Sequence, residues 1–115
     1  MLYTKNANVT TTDVASIVTI PSGYVAHWSL LFIANLGGST DNATVYVDKA
    51  NGTDLYILGG TNISSKGYIQ FSDGIIVLQA GDVIKASTGS AGNMEFVVTF
   101  DLLEAPATFV NFNGA

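Results

Sequence analysis

His27 is the only histidine of the chain, and it stands directly before Trp28 at the start of an apolar run. Acid–base or triad chemistry needs a histidine held between a nucleophile and an orienting acid. The chain has no cysteine and no serine in a G-x-S-x-G setting, so His27 reads as a structural or rim residue. Nine carboxylates face four cations, all lysine: Lys5, Lys49, Lys66 and Lys85. Glycoside hydrolysis needs two facing carboxylates. Asp13, Asp41, Asp48, Asp54, Asp73 and Asp82 instead fall in turns or at strand ends, where aspartate caps backbone N–H groups. Asp41 and Asp48, or Asp48 and Asp54, could approach one another in loops. No run, however, has the spaced acidic ligands of an EF-hand. One histidine without cysteine makes a poor zinc site. "GGSTDN" is not a phosphate-binding loop and opens no helix. The expectation is of no catalytic residues, no metal ligands and no cofactor.

A softer chemistry is offered by Tyr46, Tyr56 and Tyr68, whose rings could stack on sugar faces. Tyrosine is equally a good strand and interface residue. The hinge Gln79-Ala80-Gly81-Asp82, within "GIIVLQAGDVIKASTG", raises the same choice between a site and a corner. Asp82 is expected to accept backbone N–H bonds at a turn, with Gly81 supplying a positive φ. Asn8, Asn42, Asn51 and Asn62 lie in glycosylation sequons. A chain this rich in Asn and Thr forms them by chance, and "MLYTKNANVTTTD" has no secretory apolar core.

Positioning these residues falls to a β-rich chain of 115 residues, enough for one domain with one core. Val, Ile, Thr, Tyr and Phe dominate the runs, and Gly, Asn, Asp and Ser punctuate them. The pattern predicts strands at 14–20, 24–35, 43–49, 54–58, 68–71, 75–78, 82–88 and 94–104, and no helix. Their spacing predicts a single antiparallel β-sandwich of jelly-roll-like type over residues 13–105. Short arms are expected at 1–12 and 106–115. In the last strand Met94, Phe96, Val98, Phe100 and Leu102 form one apolar row. In "WSLLFIAN", Trp28, Leu30, Phe32 and Ala34 form one row and Leu31 and Ile33 the opposite one. A strand apolar on both faces is covered on both faces.

Charge is sparse at 11% of residues, with a net charge of -5, against a typical figure of about 25% charged. Clustered Lys and Arg for phosphate contacts are missing, which argues against nucleic acid. No apolar run approaches the ~20 residues of a membrane span, so the chain is expected to be made soluble, in a cytoplasm. Part of the surface is then expected to meet a partner. The candidates are Leu2 and Tyr3 in the first arm, Leu31 and Ile33 on the two-faced strand, and Phe109, Val110 and Phe112 in the tail.

"IIVLQAGDVIKAST", with an apolar strand, a Gly-Asp turn and an alternating strand, resembles small β-sandwich virion proteins of tailed bacteriophages. "WSLLFIANLGGSTDNATVYVDKANGTDLYIL" and the closing "MEFVVTFDLLE" are similar to the same proteins, so the likeness covers about Ile17 to Glu104. The resemblance implies a non-enzymatic structural role in a virion after synthesis in the host cytoplasm. The expected role is a capsid decoration (cement) protein. It would assemble with itself, a trimer being favoured, and bridge the major capsid protein or other virion proteins. A neck or tail ring subunit and a glycan-binding module are the alternatives.

Overall fold

A computed structural model describes residues 1–74, 76–90 and 92–105, and the tail positions Phe109, Val110 and Phe112 lie outside the described residues. The strands are β1 (Leu2–Val9), β2 (Ala15–Thr19), β3 (Tyr24–Asn35), β4 (Asp41–Asp48), β5 (Asp54–Ile63), β6 (Tyr68–Phe71), β7 (Ile76–Leu78), β8 (Val83–Thr88) and β9 (Met94–Glu104). One sheet has the order β1-β9-β3-β6, with β7 also on β3, and the other has the order β2-β8-β4-β5. Every pairing is antiparallel. The chain therefore runs out and back as one long hairpin, pairing β1 with β9, β2 with β8, β3 with β6 and β4 with β5. Rolling that ribbon adds β3 to β9 and β4 to β8, which makes the jelly-roll sandwich. No helix among the described residues is long and apolar enough to cross a membrane.

The core lies between the two sheets. Trp28, Leu31, Ile33, Phe96, Val98 and Phe100 come from the first, and Ala43, Val45, Val47, Ile84 and Ala86 from the second. The β9 row is buried as its alternation predicts, and Leu102 packs against the core at the strand's end.

The register shifts between Trp28 and Leu30, so Ser29 is a bulge residue and two neighbours fall on the same side of the pleat. Leu31 and Ile33 consequently join Trp28 inside, each at 0% exposure, and Leu30, Phe32 and Ala34 turn outward. The expectation that Leu31 and Ile33 make contacts on a second face is thus corrected. The indole Nε1 donates to the Leu30 carbonyl oxygen at 2.8 Å, closing the bulge across its own strand. The break is shared by the neighbours, since β6 covers Leu31 to Ala34 and β7 covers Ala26 to Trp28.

The segment expected as an arm over residues 1–12 contains β1, paired along its whole length with β9. Tyr3, Lys5, Ala7 and Val9 are opposite inward residues of β9, and Tyr3 stacks on Phe100 with centroids 5.8 Å apart. Asn35 pins the β3–β4 connection. Its Nδ2 donates to the Ser39 and Ile63 carbonyls, both at 2.9 Å, and its Oδ1 accepts the Gly37 N–H at 2.9 Å.

At the hinge, Gly81 has φ +88° and Asp82 is fully buried. Asp82 Oδ1 accepts the Ala50 N–H at 2.9 Å, and Oδ2 accepts the Gln79 N–H at 2.8 Å and faces Lys49 Nζ at 3.3 Å. The corner between β7 and β8 is thereby fastened to the β4–β5 hairpin. A Cβ on Gly81 would stand 3.0 Å from the Ala50 Cβ. Gly81→Ala is expected to lower stability by about 1–2 kcal/mol, from the left-handed backbone and this contact together. Urea unfolding checks it, and a loss below 0.5 kcal/mol would show that neither matters.

Candidate interaction surface

Alternation leaves each sheet an outward face. On the first sheet it carries Leu30, Phe32 and Ala34 from β3, Val97 and Thr99 from β9, Leu2 and Thr4 from β1, and Tyr68 from β6. Tyr68 stacks on Phe32 with centroids 5.4 Å apart, and Thr4 and Thr99 hydroxyls meet at 3.0 Å. Leu2 is 66% exposed and Tyr68 65%. Charge on this face comes from Glu95 and Asp101, and Asp101 Oδ1 accepts from the N-terminal amine at 2.9 Å. The face is long, weakly charged and partly apolar.

The outward face of the second sheet is different in kind. Tyr46 and Tyr56 stack across β4 and β5 with centroids 5.1 Å apart and planes at 27°. Beside them Lys85 Nζ donates to Asp48 Oδ2 at 2.9 Å. That hydrogen bond holds the Lys85 ammonium above the usual lysine range. Burial opposes the shift, and the charges of Asp48, Tyr46 and Asp54 add to it. The stability this gives is complete below the ordinary lysine value of 10.5 and is lost as pH rises through the folded-state value.

The three tyrosines do not form one patch. Tyr46 and Tyr56 are on the second sheet and Tyr68 is on the first, on opposite sides of the sandwich. Each also spends a ring face on a neighbour, Tyr46 and Tyr56 on each other and Tyr68 on Phe32. Less flat ring surface is left for a sugar than three free tyrosines would offer. Of the expected contact residues, Leu2 lies on the outward first face, whereas Tyr3 turns toward the open edge between β1 and β2. Sequence reasoning missed Leu30 and Phe32 as the outward pair, because the bulge that exposes them leaves no mark in the alternation.

His27 lies opposite Asp101 in the β3–β9 register, on the outward face. Among the described residues no hydrogen bond joins them, and the neighbouring Ser29 hydroxyl is committed to the Thr99 carbonyl at 3.2 Å. Nothing there orients a nucleophile. No three His, Asp or Glu side chains gather as a metal cluster among the described residues.

The sequence matches no known protein family and no curated protein. Among solved structures it is similar to xylanase 10B of Clostridium thermocellum, seen as its CBM22-1 and GH10 modules complexed with xylohexaose. The likeness has a TM-score of 0.42 and 12% identity, over 83% of this chain and 19% of that one. The chain thus spans about a fifth of the length of that structure.

Proposed function

We propose that this chain is a non-enzymatic virion subunit of a tailed bacteriophage, and specifically a capsid decoration protein that assembles with itself and bridges capsid subunits. The observation that carries the reading is the outward face of the first sheet, with exposed Leu2 and Tyr68, half-buried Leu30, Phe32, Ala34 and Val97, and little charge. Contiguous apolar surface on a soluble chain marks a place where something docks. Repeated by particle symmetry, a modest patch at roughly 25 cal/mol per Å² becomes a stable lattice contact. The sequence likeness supplies the setting. Jelly rolls serve viral capsids and lectins alike, so the fold alone does not choose.

The test is a double variant, Leu2→Glu with Tyr68→Glu. Both side chains are exposed and the main loss is the Tyr68–Phe32 stack, so unfolding is expected to shift by less than about 1.5 kcal/mol. Self-association by light scattering and binding to particles are expected to fall at least tenfold. Unchanged association would remove this face from the interface. The glycan reading rests on the Tyr46–Tyr56 stack with Asp48 and Lys85 beside it. A glycan array probed with oligomeric protein decides it, and a signal abolished by Tyr56→Ala would displace the assembly reading.

A further inference from the structure

We propose that one end of the sandwich, where Thr11, Asp41, Thr88 and Ser90 converge, binds a calcium-type divalent cation. Asp41 opens β4 and is only 7% exposed, so its carboxylate is withdrawn from water. Oδ1 accepts the Asn42 N–H at 2.8 Å and the Ser90 N–H at 3.1 Å. Oδ2 is buried and has no hydrogen-bond partner. Among the described residues no cationic side chain pairs with it. Among the described residues the ion pairs join the N-terminus to Asp101, Lys49 to Asp82 and Lys85 to Asp48. A buried carboxylate oxygen with neither donor nor countercharge is costly, and native proteins resolve such groups with an ion or a water.

Oxygen atoms lie nearby, with the backbone N–H groups of Asn42, Ser90 and Gly92 among them. Thr88 Oγ1 lies 3.1 Å from the Thr11 carbonyl oxygen and 2.8 Å from the Ser90 carbonyl oxygen. That hydroxyl has one proton for two acceptors. Ser90 links the two halves of the cluster, with its N–H on Asp41 and its carbonyl accepting from Thr88 Oγ1 and from the Gly92 N–H, both at 2.8 Å. A Cβ on Gly92 would stand 3.1 Å from Asp41 Oδ2, so glycine there keeps that oxygen clear of a side chain. On this proposal the Asp41 carboxylate, the Thr88 hydroxyl and the Thr11 and Ser90 carbonyls would supply a hard, all-oxygen donor set. Calcium takes six to eight such ligands, with waters completing the shell. A water alone could donate to Oδ2, but it would leave the negative charge unbalanced.

The position has a consequence for the fold. Thr11 joins β1 of the first sheet to β2 of the second, and Ser90 lies between β8 of the second and β9 of the first. A cation held there would tie both crossovers together at one end. The sequence hides such a site, because it contributes one carboxylate and no spaced acidic run.

The experiment uses the full chain, stripped with a chelator, with calcium chloride as the probe. Thermal unfolding followed by far-UV circular dichroism is expected to rise by on the order of 5–10 °C at a hundredfold excess over Kd. Sodium chloride at matched ionic strength should give no such rise. Calorimetric titration is expected to give one ion per chain. Asp41→Asn should abolish both responses, and Asp48→Asn should keep them. No calcium response in the wild-type chain, or an equal response in Asp41→Asn, would overturn the proposal. Should Asp41→Asn fail to fold, Thr88→Val takes its place, with an expected loss of at least tenfold in calcium affinity. An unchanged affinity there would likewise overturn it.

Discussion

Trp28→Ala is expected to lower the stability of this domain by about 4–5 kcal/mol, the largest single effect in the chain. Trp28 is the largest fully buried side chain, and it packs among residues that close-pack both sheets. Truncating a buried Trp costs about 3–5 kcal/mol through lost transfer energy and the cavity left behind. Here a second loss is added. The indole N–H donates to the Leu30 carbonyl at 2.8 Å and so closes the bulge at Ser29. The bulge decides which residues of β3 face the core. Without it a strict alternation would turn Leu31 and Ile33 outward and Leu30 and Phe32 inward, and a one-residue slip of this kind is heavily penalised. Trp28→Phe keeps most of the volume and removes the donor. It is expected to cost about 1–2 kcal/mol. Urea unfolding followed by circular dichroism measures both. A Trp28→Ala loss below about 2 kcal/mol would mean that the sheets repack without the indole.

Asp82→Ala comes next, with an expected loss of about 3 kcal/mol. The buried carboxylate accepts the N–H groups of Gln79 and Ala50 and faces the ammonium of Lys49, whose side chain is itself largely buried. Removing it strands those donors and leaves Lys49 without its counter-ion. Asp82→Asn keeps one acceptor oxygen and drops the charge, so it should fall between. The carboxylate matters as a fastener between two hairpins, and the same urea titration reads it. If Asp82→Ala and Ser72→Ala, at an exposed turn position, cost the same, the hinge is not a fastener. On the proposed assembly role, both Trp28 and Asp82 variants should lower particle binding only as far as they lower the folded fraction.

These residues also show what could be read from the chain. The bounds of β3, β6 and β9 follow directly from apolar runs that end at Asn, Gly or Pro punctuation. The Asp82 corner was legible because Gly-Asp has a local cause, a positive φ followed by an acceptor for turn N–H groups. Five features were not legible. The Ser29 bulge leaves no trace in a run apolar at nearly every position, so Leu31 and Ile33 were expected on the wrong face. β1 reads as polar because it is an edge strand whose outward residues after Leu2 are Thr4, Asn6 and Asn8. β5 continues to Ile63 through Gly59 and Gly60, where the register shifts and Gly60 takes φ +78°, so a turn signal in sequence is a bulge in the sheet. The separation of Tyr46 and Tyr56 from Tyr68 depends on strand order, which no local pattern encodes. Asp41 reads as an ordinary strand-end cap, and only the fold shows that one of its oxygens is left over.

The proposed assembly role is tested most directly by counting this chain in purified particles of a phage whose genome carries its sequence, by quantitative mass spectrometry against the major capsid protein. A decoration protein is expected at on the order of hundreds of copies per particle, set by capsid symmetry. About a dozen copies would move it to a neck or tail ring, and absence from the particles would contradict a virion role altogether.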